Sequence, residues 1–188
     1  MCHMSLIKLG ETAILEEEVK GKIILEIGAC NVNGTLRPLF ERFSPAKYIA
    51  TDAREGNGVD IVHPAEKLDQ LLKPNSVDYI VSTSTLEHIK YWRKALYNCK
   101  LLLAPGGHII ITTCSPGYPF HGHPNDYWRF TKHFFLQHFE DFTILRLEDD
   151  PQISGVIFKA IKPKTLTTTP KPLAKLPLPN RAPLPPNP

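Results

Sequence analysis

The alternation of apolar and polar residues divides the chain into a succession of short buried strands and amphipathic helices. The run from Lys22 to Gly34 sets the pattern. Ile23-Ile24-Leu25-Glu26-Ile27 is an apolar, largely β-branched stretch that runs through a carboxylate, meets Gly28 and leads to a helix start at Gly34-Thr35-Leu36-Arg37. A strand that feeds a glycine turn and then a helix offers backbone N–H groups to a nucleotide-like ligand. Ahead of it, Leu6, Leu9, Ala13, Ile14 and Val19 have loosely helical spacing over residues 5–19, with Glu16-Glu17-Glu18 as the expected solvated face of a lid or packing helix. After it, Leu36, Leu39, Phe40 and Phe43 recur at i, i+3, i+4 and i+7, which predicts an amphipathic helix over 35–43.

The same rhythm continues downstream. Residues 47–52 read as a second strand ending on Asp52, 59–62 as a short third strand, and 64–72 as a helix with Pro64 in its first turn. Residues 77–83 form a fourth strand and 91–103 a helix stopped by Ala104-Pro105-Gly106-Gly107; 108–114 is a fifth, almost unbroken β-branched strand, as a central parallel strand should be. Thr131 reads as the N-cap of a helix over 131–139, and 142–147 and 156–162 complete seven strands. Asp52 follows Gly28 by 24 residues, close to the offset of roughly 20 at which a ribose meets a carboxylate in a βαβ unit. Residues 115–130 break the rhythm as a long loop placed after a strand, where α/β proteins carry functional groups.

Composition refines this picture at three points. With 188 residues and 42% apolar content, one core and one domain are expected. The net charge of +3 lies in the tail: Lys164, Lys171, Lys175 and Arg181 follow residue 162 with no acid among them, so the body is close to neutral and does not call for a nucleic-acid partner. Nine of the 18 prolines also lie there, so residues 1–162 are expected to fold and 163–188 to form an extended, disordered tail unable to build helix or sheet. Its Pro183-Leu184-Pro185-Pro186 spacing allows at most weak docking. Cys2, Cys30, Cys99 and Cys114 have no paired or metal-binding spacing, and there is no leader pattern or membrane-length apolar run. A soluble, cytoplasmic protein is the expectation.

Five segments in order carry a family resemblance: Leu25-Glu26-Ile27-Gly28-Ala29, Tyr48-Ile49-Ala50-Thr51-Asp52, Ser76-Val77-Asp78-Tyr79-Ile80-Val81-Ser82, Thr85-Leu86-Glu87-His88 and Leu103-Ala104-Pro105-Gly106-Gly107. Over roughly residues 20–162 the chain resembles the class I S-adenosylmethionine-dependent methyltransferases, in particular the type 11 methyltransferase domain. The resemblance implies a Rossmann-like α/β three-layer sandwich, with a seven-stranded, mostly parallel sheet of order 3-2-1-4-5-7-6 and strand 7 antiparallel. It also implies S-adenosyl-L-methionine as cofactor and Glu26, Gly28, Ala29, Cys30, Asp52, Ala53, Ala65, Ser82 and Thr83 as its contacts. Glu26 would balance the cationic methionine end, Gly28 would admit close backbone approach, Asp52 would accept from both ribose hydroxyls, and the Ala65 N–H would read adenine. Two positions depart from the family pattern, Cys30 where a second glycine is usual and Pro64 where an acid often precedes Ala65.

Methyl transfer needs an aligned acceptor and, for a hydroxyl or ammonium, a proton acceptor. The long loop offers His121 or His123 as base, Asp126 to orient it and Tyr127 with Trp128 as an aromatic wall; the simpler reading has Trp128 and Phe130 anchoring the loop and Arg129 pairing with Asp126. No metal site is expected: with Ser84 ahead of Glu87-His88 there are too few ligands, and His121, His123 and Asp126 lack a further partner. His88 reads as a pocket-wall or structural histidine. The acceptor is expected to be an oxygen or nitrogen of a small molecule or saccharide. The alternatives are a non-catalytic binding or docking protein with a decayed site and, less well matched for want of a G-x-G-x-x-G, a nicotinamide-dependent oxidoreductase.

Overall fold

In the computed structural model, described here for residues 4–122, 125–165 and 178–184, the helical lead-in is two pieces. They are α1 (Met4–Glu11) and α2 (Glu16–Val19). The sheet strands are β1 (Ile23–Ile27), β2 (Lys47–Asp52), β3 (Ile61–Val62), β4 (Val77–Thr83), β5 (Leu103–Cys114), β7 (Thr143–Asp149) and β8 (Gly155–Ile161). Between them lie α3 (Arg37–Arg42), α4 (Leu68–Leu71) preceded by a 3-10 turn (Ala65–Lys67), α5 (Trp92–Leu102) and α6 (Lys132–His138). A two-residue strand, β6 (Trp128–Arg129), pairs with β9 (Asn180–Arg181) outside the main sheet.

The main sheet runs β3-β2-β1-β4-β5-β8-β7. Counting sheet strands only, this is the order 3-2-1-4-5-7-6 implied by the family resemblance, and β8 is antiparallel to both neighbours. Both faces are covered, which is why the central strands read as apolar runs. Period-2 alternation sorts their side chains. Leu25, Ile80, Ile109, Ile111 and Phe158 join the cluster packed by α5 and α6, while Ile24, Tyr79, Val81, Ile110 and Ile157 join the one under α1 and α3. Thr131 caps α6 as expected, its hydroxyl accepting from the Phe134 N–H at 3.1 Å.

Three expectations are corrected. The helix over 5–19 breaks at Thr12, whose hydroxyl donates back to the Leu9 carbonyl at 2.8 Å. The break lets α2 point Glu18 inward, so the acidic triplet is not a wholly solvated face: Glu18 holds the buried Lys159 ammonium at 2.6 Å. A buried lysine needs such a partner, a demand set by β8 and invisible in the local pattern. Second, β5 starts at Leu103, through the presumed terminator. Third, residues 180–181 of the proline-rich tail do form a strand, because β6 presents an open edge and Asn180-Arg181 is free of proline.

Candidate functional site

The turns that follow β1, β2 and β4 enclose a cleft of about 350 Å³ at the C-terminal edge of the sheet, within the roughly 300–1,000 Å³ of small-molecule sites. It is lined by Gly28 and Cys30 after β1, Asp52 and Ala53 from the end of β2, Ala65, Thr83 at the end of β4, and Thr85, His88 and Asn125; Thr85 packs against Gly28.

The first wall is set by main chain. Gly28 has φ +81°, and a Cβ there would lie 1.9 Å from Thr85 Oγ1, so only glycine lets the turns after β1 and β4 approach. Its N–H and that of Ala29 donate to the Thr51 carbonyl at 2.8 and 3.0 Å. The Asp52 carboxylate accepts from the Cys30 N–H at 3.2 Å and the Arg54 N–H at 3.0 Å, which aims it along the cleft wall. The longer turn is braced: Asn31 Oδ1 accepts from the Gly34 N–H at 2.9 Å, and the Asn31 N–H donates to the Asn57 carbonyl at 2.8 Å. Cys30 fits because residue 56 is glycine, where a Cβ would meet the thiol at 2.4 Å.

Of the cofactor contacts implied by the resemblance, Gly28, Cys30, Asp52, Ala53, Ala65 and Thr83 come together on the cleft, whereas Glu26, Ala29 and Ser82 are buried beside it and do not line it. Glu26 accepts from Tyr48 Oη at 2.9 Å and Thr35 Oγ1 at 3.3 Å. Burial pushes its carboxyl up against the opposing pull of those two hydroxyls and Arg37.

The long loop supplies side chains rather than backbone. Arg129, 1% exposed, grips Asp126 with two guanidinium nitrogens at 2.5 and 2.7 Å and donates to the carbonyls of Tyr118 at 3.1 Å and Pro119 at 2.8 Å. This is the loop-fixing pair foreseen as the simpler reading. Burial would raise the Asp126 carboxyl, but Arg129 and His121 hold it below the usual carboxylate range. His121 does not line the cleft. Its Nδ1 lies 3.0 Å from Asp126 Oδ2 without forming a hydrogen bond, and that oxygen takes the His121 main-chain N–H at 3.0 Å. Its Nε2 turns toward Cys114 and Glu87, 3.8 Å from each. Tyr127 packs on the core and its N–H donates to the Glu87 carbonyl at 2.9 Å. His123 lies outside the described residues.

His88, which the sequence left as a wall residue, lines the cleft, as does His63, whose Nε2 is tied to the Lys67 carbonyl at 2.8 Å. The Nδ1 of His88 bonds to the Asn125 carbonyl, so Nδ1 carries the proton and Nε2 is the basic nitrogen. Burial lowers its pKa, offset in part by Glu87, and keeps the ring neutral at pH 7. Glu87 is wholly buried, taking the Thr113 hydroxyl at 2.7 Å and the Cys114 thiol at 3.2 Å. Burial would raise it, but His121, His88 and Thr113 hold it below its ordinary value. The signal that could have found this group is the pairing of β4 with β5, which sets the Thr113-Cys114 end beside Glu87.

A family profile described as a methyltransferase domain matches residues 6–149. The chain belongs to the class I S-adenosylmethionine-dependent methyltransferases. No curated protein sequence matches this methyltransferase. Among solved structures, similar folds include 1,6-didemethyltoxoflavin-N1-methyltransferase of Burkholderia thailandensis, solved with 1,6-didemethyltoxoflavin and S-adenosylhomocysteine (19% identity, 82% of this chain and 77% of that one, TM-score 0.65). Another is an Aquifex aeolicus S-adenosylmethionine-dependent methyltransferase (18% identity, 80% and 88%, TM-score 0.59). A third is from Archaeoglobus fulgidus (14% identity, 82% and 94%, TM-score 0.58). The enzyme's cofactor is S-adenosyl-L-methionine, and the cleft suits it in size and donor set: a carboxylate for a diol, a glycine turn for a polar end and apolar walls between.

Proposed function

We propose that this methyltransferase acts on an oxygen or nitrogen of a small molecule or saccharide, with the cofactor along the Asp52 side of the cleft and the acceptor entering beside His88. The observation that carries this reading is the shared lining: Gly28, Cys30, Asp52 and Ala65, suited to the cofactor, open onto the same cleft as the neutral ring of His88. Bound S-adenosylmethionine supplies an electrophilic methyl group on a sulfonium. Asp52 holds the ribose hydroxyls, the Gly28–Cys30 turn holds the methionine end, and the Ala65 backbone meets adenine. Glu66, next to Ala65 on the cleft wall, supplies the carboxylate that Pro64 cannot.

His88 Nε2 takes the acceptor proton, while the Asn125 carbonyl keeps the ring in the required tautomer. The base role falls to His88 in preference to His121 because His88 faces the cleft and His121 faces Glu87. The near-neutral folded body argues against a nucleic-acid acceptor. Among the described residues Cys30, Cys99 and Cys114 are unpaired thiols and no helix is long and apolar enough to cross a membrane, which suits a reducing, cytoplasmic setting.

Titration calorimetry with S-adenosylmethionine and S-adenosylhomocysteine tests the cleft. Loss of two charge-assisted hydrogen bonds in Asp52→Ala should weaken binding roughly 10- to 100-fold or more; absence of heat with either ligand would overturn the assignment. In a methyl-transfer screen, His88→Ala should lower turnover about 10²- to 10⁴-fold at unchanged cofactor affinity. Turnover in the parent enzyme should rise with pH through a pKa below 6.5, as the free base forms.

A further inference from the structure

Behind His88, three segments far apart in sequence bring three ligand-type side chains together: Glu87 after β4, Cys114 at the end of β5 and His121 in the long loop. Cys114 Sγ lies 3.2 Å from Glu87 Oε1, and His121 Nε2 lies 3.8 Å from each of them. A nitrogen–oxygen separation of 3.8 Å is too long for a hydrogen bond. Metal–donor distances of about 2.0–2.3 Å at tetrahedral angles place nitrogen, oxygen and sulfur donors roughly 3.3–3.6 Å apart, so shifts of a few tenths of an ångström bring these three atoms onto one ion.

Two further features fit a cation. On the other edge of the His121 ring, 3.0 Å from Nδ1, stands the Asp126 carboxylate, fixed in turn by Arg129. A metal-bound histidine usually donates its other ring N–H to such a carboxylate, and here a small turn of the ring would bring Nδ1 into line with Asp126. The remaining Glu87 oxygen is likewise held, by the Thr113 hydroxyl at 2.7 Å. Glu87 and Cys114 are 0% and 2% exposed, and a dication with one thiolate, one carboxylate and a neutral imidazole is uncharged overall, as so buried a site requires.

We propose that Glu87, Cys114 and His121 bind a Zn²⁺ ion. One sulfur, one nitrogen and one oxygen ligand favour zinc over magnesium or calcium. Binding releases the Cys114 thiol proton to solvent, and three protein ligands leave a fourth position for water. The ion ties the loop to the ends of β4 and β5 and backs His88, whose ring packs on His121 at 4.9 Å between centroids. The proposal rests on this cluster and is independent of how the cleft holds its cofactor.

Full-length protein purified without chelators is assayed for metal by plasma mass spectrometry, and the chelator-stripped protein is titrated with Co²⁺. About one zinc per chain is expected, with a near-ultraviolet sulfur-to-cobalt band at one equivalent that Cys114→Ser abolishes, His121→Ala weakens and Cys99→Ser retains. X-ray absorption at the zinc edge of the parent protein should show one sulfur at about 2.3 Å with lighter neighbours, a readout that survives if the variants fail to fold. Parent protein that takes up less than a tenth of an equivalent of both metals, a cobalt band indifferent to Cys114→Ser, or an absorption spectrum without sulfur would each overturn the site.

Discussion

On the β1–β2 side of the cleft, the groups that face inward are placed by main chain. The Gly28 turn hangs on the Thr51 carbonyl, Asp52 is aimed by the N–H groups of Cys30 and Arg54, and Asn31 closes the turn on Gly34. On the other side the work falls to buried charges, with Arg129 holding Asp126 beside His121, and His121 beside Glu87. Backbone hydrogen bonds follow from strand order and tolerate surface substitution. A buried ionic chain fails as a unit when one member is lost.

That contrast is broken most severely at Arg129. Arg129→Ala leaves the Asp126 carboxylate buried without its partner and strips the donors from the Tyr118 and Pro119 carbonyls. A loss of about 3–5 kcal/mol is expected in chemical denaturation. The double variant Arg129→Met with Asp126→Leu should recover most of it, since removing both charges also removes the desolvation penalty. If the double variant is no more stable than the single one, the loop is held by something other than this pair.

Gly28→Ala probes the main-chain side. Left-handed backbone strain and the clash with Thr85 together should cost about 2–4 kcal/mol, and S-adenosylhomocysteine affinity should fall at least tenfold as the turn shifts. Arg129→Ala, where it remains folded, should leave that affinity within about threefold. Equal losses of affinity in both variants would mean that the two sides are mechanically one.

The same division explains what the sequence made legible. The strands themselves and the cleft corners at Gly28 and Asp52 follow from apolar runs ending in glycine or an acid, because they depend on local periodicity; the strand order and Ala65 came with the family resemblance. The position of Glu26 did not follow: a strand-end acid looks alike whether it faces a ligand or, as here, Tyr48 and Thr35. Nor did the meeting of Glu87, Cys114 and His121, since their proximity depends on the β4–β5 register and on the path of residues 115–130, neither of which leaves a spacing motif. Glu18 taught the same lesson in the lead-in, where a distant Lys159 decided its direction.

The smallest effect concerns β9. Arg181 lays its guanidinium 4.6 Å from the Trp128 ring centroid, and the Ala182 N–H donates to the Tyr127 carbonyl at 2.9 Å. The ring itself is anchored from beneath by its indole N–H on the Ile89 carbonyl at 3.1 Å, so Arg181 adds a lid to a residue already fixed. Arg181→Ala should therefore cost only about 0.5–1 kcal/mol in denaturant midpoint at unchanged cofactor affinity. Lys at this position should retain part of the stacking and lose less. A shift as large as that of Arg129→Ala would move the main support of the loop from the buried ionic chain to β9, and the distinction between a backbone-built and a charge-built side would have to be redrawn with the tail segment as a third component.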